Sequence, residues 1–400
     1  MSAIFEEIPV AQLLFAVTGA FDLADKRFRM HAKRVLFTSM QLGEELDLDF
    51  SAMKTLFMAA ILHDIGILDD VERTELIERD VPQDKVIEHS QRGSALLNKI
   101  PEFDHLASII KHHHRPFNTL PSSNEVFLCS IIFLADRAVI AAGEELVEPS
   151  EIKEILAWLR SNSNTLFDPR VVAAFESIAT RPSFWLDLMT DYVRDRCFDY
   201  SYLIADQFVS PLVLGRLFAS MIDLRSPFTS RHSFLVASTA RNIGSKLGFS
   251  EQECRMLELA GLLHDVGKLA VPNTILEKEG SLTYEERAQI QVHPYFTFRI
   301  LDRIQGLEIV KEWASFHHER LDGTGYPFQI EEDELSLGSR ILAVADVYAA
   351  LSERRPYKEP LPSSQVVALL RRNAANGGLD PFVVEIVASL PEHTHLLETV

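Results

Sequence analysis

The chemistry of this chain starts at Leu262-Leu263-His264-Asp265-Val266-Gly267-Lys268. An apolar run delivers an imidazole and a carboxylate side by side, then a glycine, then an ammonium. Imidazole and carboxylate suit a borderline divalent ion such as Zn, Fe or Mn. Asp265 has two oxygens and can bridge two ions. Lys268 brings a positive point charge to the same spot, which a phosphate would welcome. One His-Asp pair says little in 400 residues, but His232 lies upstream, and His293, His317, His318 and Asp346 lie downstream. Together these seven read as a two-metal centre. One ion takes His232, His264, Asp265 and Asp346. The other shares Asp265 and takes His293, His317 and His318. Asp346 sits inside apolar Ile341-Leu-Ala-Val-Ala-Asp-Val-Tyr, and a buried carboxylate wants a cation. Two ions about 4 Å apart can activate a bridging water and clamp the phosphoryl oxygens of an in-line displacement. Lys268, one turn past His264, would stabilise charge on a non-bridging oxygen.

These residues must be carried by helices, and the chain writes the carrier twice. His31 pairs with His232 and His63 with His264, each 201 residues apart. His89 pairs with His293 at 204, and the same offset aligns His113-His114 with His317-His318. Asp136 pairs with Asp346 at 210, and Phe167-Asp168-Pro169 with Leu379-Asp380-Pro381 at 212. The offset grows in steps, as loop insertions would make it. Order and ligand type persist together, which indicates a tandem duplication. Leu56 to Leu62 and Leu257 to Leu263 are nearly continuous apolar runs before each His-Asp pair, the mark of buried helices. Ser250 with Glu251 and Glu253 predicts a helix start, and Ser150-Glu-Ile-Lys-Glu predicts another. Few stretches alternate as strands do. The expected fold is all-α, two helical bundles in series: residues 1–182, a helical connector over 183–225, and residues 226–400. The connector is apolar (Phe184, Trp185, Leu212 to Ile222) and predicts helices that pack the copies, or alternatively a dimer interface.

Composition narrows the function classes. Hydrophobic residues make up 47%, enough for a full core, so disorder is excluded. Net charge is −19 with no basic run, which argues against a DNA or RNA surface. A small anion could still bind where metals and a few cations reverse the local sign. Cys129, Cys197 and Cys254 are scattered and odd in number, without metal or disulfide spacing, as in a reducing cytosol. The acidic amino terminus lacks a signal-peptide pattern, and no apolar run reaches the roughly 18 residues of a membrane span. A cytoplasmic protein without a membrane role is expected.

The segment His317-His318-Glu319-Arg-Leu-Asp322-Gly323-Thr-Gly325-Tyr326-Pro327, downstream of His264-Asp265-Val-Gly-Lys268, resembles the HD-GYP family of the HD phosphohydrolase superfamily. Asp346 with Arg355-Pro356-Tyr357-Lys358 continues the likeness, which spans roughly residues 215 to 390. The resemblance implies an all-helical fold and a centre of two or three metals, often iron or manganese, with zinc or nickel also accepted by such donors. It implies hydrolysis of bacterial cyclic dinucleotides, cyclic di-GMP or cyclic GMP-AMP, to linear dinucleotide or mononucleotides. Lys268, Gly325, Tyr326, Pro327, Arg355 and Lys358 would then meet the substrate. Gly323 and Gly325 permit backbone shapes other residues resist. Two departures bear on this expectation. Family members with a third metal carry Glu-x-x-x-His, whereas Phe228 stands four before His232, so two ions are expected. The family often has a second Asp three residues after the metal-binding one, and here that position is Ala349.

The first copy resembles a plain HD domain. It keeps His31, His63, Asp64, His89, His113, His114 and Asp136. It loses the lysine, since Ile67 stands there, with Asp69 and Asp70 just beyond. Arg115-Pro116-Phe117-Asn118 replaces the glycine loop. Three readings follow: a metal site with a subsidiary nucleotide phosphohydrolase activity, a metal site that senses and regulates, or a structural remnant. His112 beside the pair leaves its register open by one residue. For the whole chain, the enzyme reading competes with a cyclic-dinucleotide receptor or docking scaffold that has lost turnover, and a homodimer or signalling partner accords with either.

Overall fold

Local sequence sets most helix boundaries. Ser250 opens the helix Glu251–Leu263 with a reciprocal cap: its hydroxyl accepts from the Glu253 amide (3.3 Å), and the Glu253 carboxylate accepts from the Ser250 amide (2.7 Å). Asp49 caps Phe50–Leu62 by accepting from the Ala52 amide at 2.8 Å. The expected start at Ser150 moves two residues back. The helix is Pro149–Ser161, with Glu148 as its cap and the Glu148 amide donating to Glu151 at 2.7 Å. Proline explains the shift, because its fixed φ and missing N–H suit the first helical position. The paired Asp-Pro sequences are two more caps. Asp168 accepts from the Arg170 amide ahead of Pro169–Ala179, and Asp380 from the Phe382 and Val383 amides ahead of Pro381–Ala388.

The computed structural model describes residues 7–24, 30–67, 72, 83–120, 124–225, 232–278, 280–353 and 361–390. The architecture is all-α, as expected. Among the described residues the only strands are two of two residues each. The chain divides into two compact units, Pro9–Val209 and Ser210–Val400 together with Met1–Ile8. The division falls inside the stretch 183–225. Phe184 stacks on Phe37 (ring centroids 5.8 Å apart) in the first. In the second, Ala219 joins Ala237 and Leu262 in a buried cluster. No helix among the described residues is long and apolar enough to cross a membrane.

Each unit carries the same positioning frame. His31–Glu45 and His232–Lys246 each have 15 residues, and Phe50–Leu62 and Glu251–Leu263 each have 13. Asn124–Ala142 and Leu337–Ser352 carry the late aspartates. The glycine of each His-Asp-x-Gly has a packing reason. A Cβ on Gly267 would lie 1.9 Å from the His293 carbonyl oxygen, and one on Gly66 would lie 2.1 Å from that of His89. The His-Asp turn therefore sits directly on the element bearing the next histidine. In the second unit Thr297 fastens that contact, accepting from the Gly267 amide (3.0 Å) and donating to the His264 carbonyl (2.9 Å).

Candidate metal centre

All seven side chains singled out in the second half meet. His232 opens its helix, His264 and Asp265 follow the end of Glu251–Leu263, and His293 starts His293–Leu301. His317 and His318 follow Glu308–Ser315, and Asp346 lies mid-way along Leu337–Ser352. Asp265 is at the middle and is buried. Its Oδ1 faces His293 Nε2 at 3.3 Å, and its Oδ2 faces His264 Nε2 at 3.3 Å and His232 Nε2 at 4.0 Å. Asp346 Oδ1 lies 3.1 Å from His232 Nε2 and 3.9 Å from His264 Nε2. The donor atoms of His232, His264 and Asp346 all lie within 4.8 Å of one another, as do those of His293, His317 and His318. His317 also groups with His264 and Asp265, so it faces both sides of the centre.

The donor set fits divalent metal. His264, His293 and His317 each place Nδ1 at 2.7 Å from the carbonyl three residues earlier, Gly261, Ile290 and Ala314. That bond takes the Nδ1 proton and leaves a lone pair on Nε2 aimed inward. His293 Nε2 and His317 Nε2 then face each other at 3.3 Å, lone pair to lone pair, unless a cation lies between them. His264 Nε2 is buried with no hydrogen-bond partner. Burial, followed by the neighbouring His318, pushes His317 well below the usual histidine range, and burial pushes His318 down to about 3. Both are thus neutral and ready to donate a lone pair. Burial would raise the Asp265 carboxyl, but the His264 ring and the Lys268 ammonium hold it well below the usual carboxylate range.

Lys268 Nζ donates to Asp265 Oδ2 at 2.5 Å. Lys268 and His318 are the open edge of the centre, with side chains 23% and 26% exposed against 1% for His264 and His293. Beside that edge the glycine loop is pinned from within. Buried Glu319 accepts from the Phe328 and Ile330 amides at 2.7 and 3.1 Å. The Tyr326 amide donates to the His318 carbonyl at 3.2 Å, and the Tyr326 ring lies 4.8 Å from the His318 ring. The Tyr326–Pro327 peptide is cis. Gly325 runs so close to Glu319 that a Cβ would come within 2.5 Å of its Cα. Arg355, Lys358 and Phe228 lie outside the described residues.

One contributor escaped the sequence reading. Glu353 Oε2 lies 3.0 Å from His232 Nδ1, so His232 is held between Glu353 and Asp346. Burial opposes a charge on His232, yet Asp346 and then Glu353 raise it to about 9, so a metal must displace that proton. The available signal was spacing: Glu353 stands seven residues beyond Asp346, just past the end of the same helix. Ala349, between them, is buried.

The first half gathers its own set. Asp64 Oδ2 lies 3.1 Å from His63 Nε2 and 3.5 Å from His31 Nε2, and its Oδ1 lies 3.4 Å from His89 Nε2. His113 repeats the ring-to-carbonyl bond with Ile110 at 2.6 Å, and His63 with Ala60 at 2.9 Å. His112 turns instead to the Ser108 carbonyl on an exposed face, which fixes the register at His113-His114. Buried Arg137 bonds Asp136, a second contributor the sequence reading passed over. Asp69 and Asp70 lie outside the described residues.

Comparison with known proteins agrees with this layout. The HD domain family matches residues 216–383 and, separately, residues 29–141. A 3'3'-cGAMP-specific phosphodiesterase of Vibrio cholerae, number 1, is 28% identical over 95% of this chain and 91% of its own length. Number 3 from the same organism is 26% identical over 99% of this chain and 97% of its own. A cyclic di-GMP phosphodiesterase of Pseudomonas aeruginosa is 40% identical over 41% of this chain and 40% of its own. The crystal structure of a Vibrio cholerae cyclic GMP-AMP phosphodiesterase, V-cGAP3, shares the fold. Its TM-score is 0.65 at 23% identity, over 96% of this chain and 99% of that one.

Proposed function

We propose, from a chain that belongs to the HD-domain family and carries that domain twice, that its second half hydrolyses cyclic dinucleotides. The protein is a phosphodiesterase, and 3'3'-cyclic GMP-AMP is its preferred substrate. The relatives that match both halves act on that compound, whereas the cyclic di-GMP relative matches about two-fifths of the chain. One observation carries the catalytic reading: Asp265 turns one oxygen to each of two imidazole groups while Lys268 holds its open side.

His232, His264, Asp265 and Asp346 would hold one ion, and Asp265, His293, His317 and His318 the other. Two bound divalent ions, iron or manganese by the family likeness, would supply an activated water and Lewis acidity at phosphorus. The residues do the rest. Asp265 fixes the separation of the two subsites. The ring-to-carbonyl bonds keep the imidazoles neutral and aimed. Lys268, at the open edge, is placed to take a non-bridging phosphate oxygen, exchanging its contact with Asp265 for one with substrate. Tyr326, pinned against His318, offers a ring on which a base can stack, and Gly325 lets the loop lie close. Water adds to phosphorus, the ester bond to the 3' oxygen breaks, and a linear dinucleotide with a 5' phosphate leaves. The three buried cysteines, held as thiols, accord with a reducing cytoplasm as its place of action.

The test is anaerobic purification with Fe2+ or Mn2+ and a product assay on cyclic GMP-AMP and cyclic di-GMP side by side. Linear product is expected, faster from cyclic GMP-AMP, and lost in Asp265→Ala, which removes the carboxylate shared by the two subsites. Tight binding without product under both metals would overturn the enzyme reading in favour of a receptor. Faster turnover of cyclic di-GMP would overturn the substrate assignment alone.

A further inference from the structure

The two halves use the same donors but pool them differently. In the second half the donor atoms group only in threes: His232–His264–Asp346, His293–His317–His318 and, across the middle, His264–Asp265–His317. In the first half Asp64, His89, His113 and His114 put four donor atoms within 4.8 Å of one another. Asp136 drops out of the other group, which keeps only His31, His63 and Asp64.

Arg137 accounts for the change. It is buried, and it donates to Asp136 Oδ2 from Nε at 2.9 Å and from Nη2 at 2.8 Å. The matching residue in the second half is Val347, and the cation there is Lys268 on Asp265. The first-half match of Lys268 is buried Ile67. The positive charge has thus moved from the central carboxylate to the outer one. His31 Nε2 lies between Asp136 Oδ1 (3.2 Å) and Asp64 Oδ2 (3.5 Å), as His232 does between Asp346 and Asp265, so the difference between the halves rests on Arg137.

We propose that the first half holds a single ion, bound by Asp64, His89, His113 and His114, and that Arg137 supplies the countercharge a second ion would otherwise provide. His89 Nε2, His113 Nε2 and His114 Nδ1 are all buried without a hydrogen-bond partner. His89 Nε2 lies 3.4 Å from Asp64 Oδ1. Tetrahedral ligands on bonds of about 2.0–2.1 Å stand roughly 3.3–3.4 Å apart, so the spacing suits a zinc-class ion. His63 Nε2 also lacks a hydrogen bond, with Asp64 Oδ2 at 3.1 Å and the His31 and His113 rings each 5.5 Å away, but its donor group has no carboxylate beyond the Asp64 it shares with the other group. Four protein ligands complete a tetrahedron and leave no position for a substrate oxygen, as in closed structural sites. The inference stands whether or not the second half is catalytic.

Full-length protein with His264→Ala, Asp265→Ala and His317→Ala, which together break every donor group of the second half, is stripped with chelator, loaded with Zn2+ or Co2+, dialysed and counted for metal. The expected count is one ion per chain, with the intense visible absorption of four-coordinate Co2+. Adding His89→Ala brings the count near zero, adding His31→Ala leaves it at one, and adding Arg137→Met raises it towards two. Two ions with Arg137 present, no ion at all, or loss with His31→Ala and retention with His89→Ala would each overturn the proposal. An unchanged count with Arg137→Met would remove the role given to Arg137. The two histidine variants delete the same buried ring from one cluster, so their difference separates ligation from a general failure to fold. The parent count and Co2+ spectrum stand without either.

Discussion

At the scale of single residues, Glu353 is the most informative side chain beyond the seven proposed donors. It orients His232 from the outer side, and outer carboxylates fix both the tautomer and the basicity of a ligating imidazole. Glu353→Leu should weaken metal binding to the second half by roughly 10–100-fold, and Glu353→Gln, which keeps an acceptor, should lose less. A competition titration against a chelator reads both. Leu and wild type binding alike would dismiss the role. The donors themselves were legible because histidine and aspartate recur in order at nearly constant offsets. Glu353 and Arg137 were not, because each acts through a neighbouring donor and neither belongs to the repeat: residue 353 pairs with Gly143, and Arg137 with Val347.

At the scale of elements, the His-Asp turn and the helix of the next histidine touch backbone to backbone. Gly267 is the residue that permits it. Gly267→Ala would wedge them apart, and in a packed interior that overpacking costs about 1–3 kcal/mol. The larger effect falls on function, since a ligand displaced by about 1 Å costs roughly a hundredfold in rate. The expected outcome is a folded protein, by circular dichroism, with activity down by about that factor. Wild-type activity in Gly267→Ala would show that the turn can relax without moving His264 or Asp265. The glycine stood out in the repeat, but its reason did not, because a close approach involves a partner helix that periodicity cannot name. Helix starts were legible where serine and glutamate cap reciprocally, as at Ser250. The reading failed at Ser150, where Pro149 decides the boundary.

At the scale of the whole molecule, duplication was the strongest signal in the sequence, and the all-α architecture was legible beside it in the apolar runs and the scarcity of alternating stretches. Residues 183–225 mix apolar runs with charges such as Asp187, Asp191, Arg194 and Asp199, so hydropathy marks no single seam there, and the division between the units falls inside the stretch. The net charge of −19 sets the terms on which an anionic substrate arrives. Like charge slows encounter, and salt screens it over about 10 Å at 0.1 M. Raising ionic strength from about 20 to 200 mM should therefore increase kcat/KM on a cyclic dinucleotide roughly two- to threefold. A decrease would show that the field of the metal-loaded pocket dominates the approach.

The imidazole-to-carbonyl bonds carry a consequence for how such a chain can change. His63, His113, His264, His293 and His317 each lean on a carbonyl only three residues back. The aim of each ring is therefore set within one turn of its own backbone rather than by a distant partner. A constellation aimed locally survives being copied, re-looped and re-charged, because no remote contact has to be rediscovered to keep its rings pointing inward. One gene could thus retain an old arrangement in one copy while the other traded a lysine for an isoleucine and moved its cation next door.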